Sequence, residues 1–297
     1  MAGTRQIFQH RKAVDSIRRI TRTMEMISIA RYKSYYDRMS AIVEYHDALA
    51  MAGFLLVTPQ QPIDHPLLKE NSSGTSAILA IGAKKGFCGP YNDSIYQLVE
   101  VHISQAKDQG RKLDIYVLDR KLNHLLNSHG IQPTKTYRDL AEMPSDKQLD
   151  DIAQEFLQKY MLGELDHFGI VYMRFHSVSR QQAQSLTILP LTELIDDLTT
   201  RAKVIWPWDL SFEDFDFSPS APGIIEGLAK MITRSFIQNC FMDAALSEHA
   251  ARMVAMKNAT ENAEDMITQL TADYNRARQN QITRELLDII GGTGVLG

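Results

Sequence analysis

Two long stretches frame the chain, one at each end. From Leu228 to Ile290 there is neither glycine nor proline. Apolar or small residues recur there at steps of three and four: Leu228, Met231, Ile232, Ser235, Phe236, Asn239, Met242, Ala245 and Leu246. After a more polar waist the pattern resumes with Met253, Met256, Thr260, Ala263, Met266, Ile267, Leu270, Tyr274 and Ala277. That spacing draws one stripe down the side of a helix, roughly 95 Å long at 1.5 Å per residue. A domain of this size cannot cover such a stripe, so a second helix or another protein must. Residues 4–52 also lack glycine and proline. Ile7, Val14, Ile17, Ile20, Met24, Ile27, Ile42, Tyr45 and Leu49 predict a second helix, roughly 70 Å long, that stops near Gly53, ahead of Pro59 and Pro62. Its stripe is narrow and is interrupted by Ser28, Arg31 and Arg38, which suits a two-helix seam better than a globular core.

Between these stretches the rhythm changes. Residues 54–76 form a connector with Pro59, Pro62, Pro66 and a small polar run at 71–76. The apolar runs 77–81, 113–118, 168–175 and 185–191 read as strands, with a further strand over 131–137. Helical patterns occupy 93–108, 119–129 and 145–162. Strand alternating with helix implies a mostly parallel sheet covered on its faces. The last two strands are joined by about nine residues without helical signal, which predicts a hairpin. Residues 192–223 are an irregular return carrying Pro207, Pro219 and Pro222. The predicted fold class is therefore α/β. It combines a long antiparallel coiled coil of the two terminal helices, 1–57 and 222–297, with an inserted Rossmann-like domain, 75–205, of mostly parallel sheet.

Composition adds little. A net charge of −4, 44% hydrophobic and 23% charged residues are ordinary for a globular chain of 297 residues. Cys88 and Cys240 are too far apart in sequence to suggest a disulfide framework or a zinc cluster. They read as reduced thiols. No apolar run approaches the length of a membrane span, and residues 1–6 lack the apolar core of a signal peptide. These points predict a soluble intracellular protein. The first helix is lopsided, with nine Lys/Arg and three Asp/Glu between Arg5 and Arg38. Three readings stand: a nucleic-acid arm, without the aromatic and glycine pattern of an RNA-binding module; a solvated basic face; or a track for an acidic protein partner, which gains from complementary charge without one fixed register.

Candidate chemistry is sparse. Gly82-Ala83-Lys84-Lys85-Gly86-Phe87-Cys88-Gly89 follows the first strand, where a glycine-rich loop can cradle phosphate at a helix N-terminus. Its spacing fits neither the dinucleotide fingerprint nor the P-loop. A structural turn with backbone freedom at Gly86 and Gly89 is the plainer reading. Cys88 near a helix start could be a nucleophile, but no His or acid is spaced to activate it, and a structural thiol is the alternative. The histidines show no metal-ligand spacing. Glu213, Asp214 and Asp216 alternate with Phe212, Phe215 and Phe217 as in an exposed edge segment. No catalytic constellation, cofactor site or metal site is predicted. The waist, residues 248–260, is rich in small residues and methionine. It reads either as close helix packing or as an adaptable surface inside a partner, and spacing does not decide.

These residues resemble a known family. Ser247-Glu248-His249-Ala250-Ala251-Arg252-Met253-Val254-Ala255-Met256-Lys257-Asn258-Ala259-Thr260, followed by Tyr274-Asn275-Arg276-Ala277-Arg278-Gln279 and Ile282-Thr283-Arg284-Glu285-Leu286, resembles the C-terminal helix of the gamma subunit of F-type ATP synthase. Ile20-Thr21-Arg22-Thr23-Met24-Glu25-Met26-Ile27 resembles that family's I-T-K-A-M-E-M-V, and Gly86-Phe87-Cys88-Gly89-Pro90-Tyr91-Asn92 its G-L-C-G-x-[FY]-N. The three motifs span nearly the whole chain in the family's order. The resemblance implies a central rotor shaft inside a ring of alpha and beta subunits, with an α/β domain that binds epsilon and the membrane c ring. It implies no nucleotide and no bond chemistry on the chain itself, no nucleic acid, and a membrane link only through the complex. It implies contacts with the alpha/beta head at Arg252, Arg278, Gln279, Met24, Arg31 and Lys33. The basic track would then face acidic levers of beta.

The chain departs from the family at Ser28-Ile29-Ala30-Arg31-Tyr32, where many members have Ala-Ala-Ser-Lys-Met, and at Pro90. The bulkier Ile29 and Tyr32 put the local packing in question, and Pro90 the start of the next helix. Residues 119–145 carry no inserted cysteine pair, so the thiol switch of chloroplast members is expected to be absent. With no transit peptide, the expected setting is the cytoplasmic face of a bacterial inner membrane. The competing reading from another class is a free-standing α/β nucleotide-binding protein with a coiled-coil dimerisation arm.

Overall fold

The computed structural model describes residues 2–57, 65–118, 120–194 and 221–293. Helix α1 runs Ala2–Val57 and a short 3₁₀ turn follows at Pro66–Leu68. The middle of the chain holds β1 (Thr75–Ala80), α2 (Tyr91–Asp108), β2 (Lys112–Val117), α3 (Arg120–Ser128), β3 (Lys135–Thr136), α4 (Asp146–Met161), β4 (His167–Ser177) and β5 (Arg180–Leu189). Helix α5, Ala221–Thr293, ends it. Among the described residues no helix is long and apolar enough to cross a membrane. The chain divides into two compact units, 1–30 with 252–297, and 31–251.

In the larger unit the strand order is β3-β2-β1-β4-β5. Strands β1, β2, β3 and β4 are parallel neighbours, and β4 and β5 form the predicted antiparallel hairpin. Side chains alternate across β1. Ala77, Leu79 and Ile81 join a core with Phe156, Phe168, Ile170, Ile232 and Phe236, whereas Ile78 and Ala80 join one with Ile95, Val99, Leu122 and Leu126. One face is thus covered by α4 and α5 and the other by α2 and α3, which is why parallel strands read as unbroken apolar runs. Phe156 stacks on Phe168 with centroids 3.7 Å apart, and Tyr116 meets Phe156 edge-on at 4.9 Å. Helix α4 opens with a capping box: Ser145 Oγ accepts from Gln148 N–H, and Gln148 Oε1 accepts from Ser145 N–H.

Two strands differ from their predicted bounds by more than two residues. Strand β3 is only two residues because Pro133, inside the predicted 131–137, has no N–H for the ladder. Strand β5 begins at Arg180 rather than 185, since its first half, Arg180–Gln184, is polar and pairs with Tyr172–Ser177. It stops before Pro190. Helix α2 starts directly after Pro90, whose carbonyl accepts from Ser94 N–H at 2.9 Å.

Helix α5 also carries polar groups against the sheet. Asp243 is 4% exposed, and its Oδ1 has no hydrogen-bond partner. Burial pushes its carboxyl up to about 7, against the opposing pull of Arg174 and a bond from Phe175 N–H. Burial, then the nearby Asp243, pushes the Cys240 thiol up as well.

The smaller unit is an antiparallel coiled coil. Thr4 donates to Gln281 at 3.0 Å, Phe8 meets Tyr274 at 6.0 Å, Arg18 lies 3.6 Å from Glu264, and Thr260 Oγ1 lies 2.8 Å from Thr21 Oγ1. Arg11 covers the rings of Phe8 and Tyr274. The less exposed positions of α1 include Thr4, Ile7, Arg11, Val14, Arg18, Thr21, Glu25 and Ser28, spaced by alternating steps of three and four, with Asp15 and Met24 beside them. Those of α5 include Met256, Thr260, Ala263, Ile267, Leu270, Tyr274, Ala277 and Gln281, with Ala259 and Thr271 beside them. Both are heptad seams. The α5 stripe is the predicted one except for Met266, which is exposed. Within residues 1–30 the α1 stripe holds only at Ile7, Val14 and the half-buried Met24. Ile17, Ile20 and Ile27 are 53%, 60% and 56% exposed, because the seam keeps a 3.5-residue period through threonine, arginine, glutamate and serine. The isoleucines fall on the outer faces.

Two outcomes follow. Thr21→Val with Thr260→Val replaces both partners of a buried bond by apolar groups of like shape. We expect the stability of the purified chain, read from thermal unfolding followed by circular dichroism, to hold or rise by about 1 kcal/mol or less; a clear fall would show that the seam needs its hydroxyls. For Asp243 the folded carboxyl holds its proton to a pH near 7 while the unfolded one releases it near 3.8. The stability it contributes is complete below the unfolded value and is lost as pH rises through the folded one. Asp243→Asn keeps the uncharged form throughout. Its gain in urea midpoint over the parent chain should be larger at pH 8 than at pH 5, and an equal gain at both would contradict the assignment.

Candidate functional site

In an open α/β sheet, ligands bind outside the carboxyl ends of the strands, where the strand order reverses. Here the chain moves from β1 outward to β2 and β3, then returns to place β4 on the other side of β1. The reversal lies between β1 and β4, and the glycine-rich loop 82–89 leaves β1 at that point. Two contacts shape the loop. Asn92 Oδ1 accepts from Ala83 N–H at 2.7 Å, tying the loop to the first turn of α2. A Cβ on Gly82 would lie 2.8 Å from Leu122 Cβ and 3.0 Å from Asn92 Oδ1, so no side chain fits there. Gly89 has φ +62°. The other left-handed position is the exposed Phe87 rather than Gly86. Cys88 is buried, and its thiol donates to Lys85 O at 3.5 Å.

The crevice is filled from within. Glu248 of α5 is 3% exposed. Its Oε2 accepts from Lys84 N–H at 2.9 Å and its Oε1 from Lys85 N–H at 3.2 Å. Consecutive backbone N–H groups of this kind form an anion cradle, and a carboxylate of the chain itself occupies it. Around it, Ser247 donates to Met173 O at 3.1 Å and Tyr91 donates to Ala244 O at 3.1 Å. Lys84 Nζ reaches Leu140 O at 2.6 Å. Glu142 Oε1 lies 2.6 Å from His249 Nε2, and Glu142 accepts from Tyr35 Oη at 3.4 Å, while the Tyr35 ring stacks on His249 at 5.6 Å. Burial, then the charge of Glu142, pushes the Tyr35 phenol up. The cavity left between the loop and α5 is about 40 Å³. That is room for a water or two, against the several hundred Å³ of an ordinary small-molecule site.

Two open clefts lie elsewhere in this unit. One, about 550 Å³, is lined by Phe87, Asp93, Arg120, Lys121 and His124. The other, about 420 Å³, lies at the amino ends of β1 and β4 and is lined by His102, Arg111, His167 and Glu193. Beside it, ligand atoms of Glu70, His167 and Glu193 approach within 4.8 Å of one another. Arg111 Nη1 lies 3.3 Å from His167 Nδ1 and can only donate. The imidazole proton is thereby assigned to Nε2, 3.3 Å from Glu193 Oε1. A metal-bound imidazole donates through its other nitrogen, and Arg111 denies it that bond, so Arg111, His167 and Glu193 are better read as a hydrogen-bonded chain.

The residues singled out by family resemblance do not gather into a pocket. Arg31 and Lys33 are exposed on α1 and Met24 is half-buried there. Arg278 and Gln279 are exposed neighbours on α5, whereas Arg252 is 4% exposed. The start of the waist, Ser247 to Ala250, is buried within the chain, which is the close-packing reading. Sequence reasoning missed Glu248, Glu142 and Tyr35. The usable signal was a glutamate on the buried side of an otherwise small and apolar segment.

Comparison with known proteins agrees with this geometry. The family described as ATP synthase matches residues 3–296. The ATP synthase gamma chain of Rhodopirellula baltica is 35% identical over 297 residues, covering 100% of this chain and 99% of its own. That of Leptospira biflexa is 29% identical over 293 residues, covering 98% of each. Among solved structures, a chain of the Euglena gracilis mitochondrial ATP synthase rotor shares the fold with a TM-score of 0.63 at 17% identity, covering 95% of this chain and 99% of that one. A chain of the same synthase's OSCP/F1/c-ring structure gives 0.64 at 17% identity, covering 99% and 95%. A shaft-like pair of terminal helices, a doubly wound sheet whose ligand crevice is closed by one of them, and a match along almost the whole length place this chain in the ATP synthase gamma chain family.

Proposed function

We propose that this chain is the rotating central shaft of an ATP synthase. It couples ion-driven rotation of a c ring to ATP synthesis or hydrolysis at an alpha/beta head, and it carries no bond chemistry of its own. The observation that carries the second half of this reading is Glu248 in the anion cradle. The place where a doubly wound fold would hold a nucleotide phosphate is taken by the chain's own carboxylate. A gamma chain in Rhodopirellula and a rotor in Euglena support the first half. The partners are the alpha and beta subunits, epsilon and the c ring. The chain reaches the membrane only through them, on the cytoplasmic face of a bacterial inner membrane.

Within that reading Arg278, Gln279, Arg31, Lys33 and Met24 meet the head. The exposure of the four polar ones fits a moving contact, in which solvent-screened charges are each worth ~1 kcal/mol or less. A deep minimum at one angle would stall rotation. Arg252, being enclosed, contributes through the helix it braces. The exposed Ile17, Ile20 and Ile27 give the shaft an apolar outer face, which a surrounding collar would cover.

Arg278→Ala with Gln279→Ala should lower ATP synthesis by the reconstituted complex several-fold while the purified chain keeps its helical content. Unchanged synthesis would remove these residues from the head contact. Calorimetry of the purified chain with ATP and with ADP should give no binding heat. Tight binding of either would favour the nucleotide-binding alternative.

A further inference from the structure

The packing of α5 on the sheet is of two kinds. Ala229, Ile232, Phe236, Ile237, Phe241 and Ala244 bury one side of the helix in the core under the sheet. Such contacts are non-directional, since burial rewards area and not angle. Ser247 and Tyr91 add one directional bond each, from Ser247 to Met173 O and from Tyr91 to Ala244 O. Glu248 is different. Both its oxygens are held by backbone N–H groups of one loop, and that loop is fixed in turn by Asn92 and by the close approach at Gly82. A rotation of α5 by about 20°, at a side-chain radius of about 5 Å, would carry the carboxylate about 2 Å. That displacement breaks both bonds and leaves a charge nearly out of water without donors.

We propose that Glu248, seated in the Lys84–Lys85 cradle, is the key that locks α5 to the α/β domain against torsion, so that torque applied to the domain passes to the helix without slip. Glu248 is thus a positioning residue for coupling, acting through the loop and not on any reacting atom. The proposal rests on the shaft reading above. It also gives the otherwise unexplained glycine-rich loop a mechanical role.

The test uses the assembled complex in membrane vesicles, with ion transport and ATP hydrolysis measured together. Glu248→Gln keeps the volume but turns one acceptor into a donor facing an N–H. Glu248→Asp keeps the charge but falls one methylene short. For both, hydrolysis should stay within twofold of the parent, while ions moved per ATP fall at least fivefold. Hydrogen exchange in the same complexes supplies a second readout. The Lys84 and Lys85 amides should exchange at least tenfold faster in the variants, with the amides of β1 and β4 unchanged. A transport ratio and amide rates like the parent's overturn the proposal. So does a variant whose sheet amides all exchange fast, alone or in the complex, because Glu248 would then serve folding in general. A parent chain that fails to assemble or to support transport would instead overturn the shaft reading itself.

Discussion

A carboxylate removed from water needs donors, and Glu248 finds them where the sheet offers two consecutive N–H groups. Much of the larger unit is arranged around that pairing. The loop that presents the donors needs Gly82, because Leu122 and Asn92 leave no space for a Cβ. Beside the acceptor on its helix, Ala244, Ala245 and Ala250 are buried. The opposite end of the sheet repeats the solution on a smaller scale. Asp166, 2% exposed, accepts from Ser73 N–H at 2.5 Å and Gly74 N–H at 2.7 Å at the entry to β1. The central strand thus meets one of the chain's own buried carboxylates at each end.

The coiled-coil unit follows another logic. Its seam places threonine, serine, arginine and glutamate at positions where a rigid coiled coil would have leucine and isoleucine. Hydroxyl pairing between Thr21 and Thr260, the Arg11 guanidinium over Phe8 and Tyr274, and the Arg18–Glu264 pair hold it together. Each is a modest contribution. The apolar residues displaced from the seam lie outward, available to whatever encloses the helices. The seam therefore gives up internal cohesion and leaves an outer surface that a partner can use.

Much of this was legible in the sequence. Sixty residues without glycine or proline announce a long helix, and runs such as Ala77–Ile81 announce buried parallel strands. The hairpin and the helices between the strands follow from the same rhythm. Three things were not legible, each for a physical reason. The polar start of β5 resembles a loop because only one neighbour and half a core constrain it. The α1 seam is half hidden because most of its residues are polar while conspicuous isoleucines lie on other faces, so a search for apolar period finds only Ile7 and Val14 of it. Glu248 is hidden because its meaning depends on donors 163 and 164 residues away, and no local pattern records them. What pointed to the site was the family motif around residues 247–260, and what it does there came only from the geometry.

The bond between Thr4 and Gln281 joins residues 277 apart in the chain, and that between Thr21 and Thr260 joins residues 239 apart. Closing so long a loop in a disordered chain has an entropic cost of (3/2)RT ln n, and contacts of this range form slowly. If 31–251 folds first, the effective loop is far shorter, because α1 and α5 already leave a folded body. The order of assembly is then built into the topology. The central sheet with its helices forms first. The two ends of the chain, made first and last during synthesis, zip together afterwards. A ribosome releasing this chain would hold a complete α/β domain before the coiled coil had a second strand to pair with.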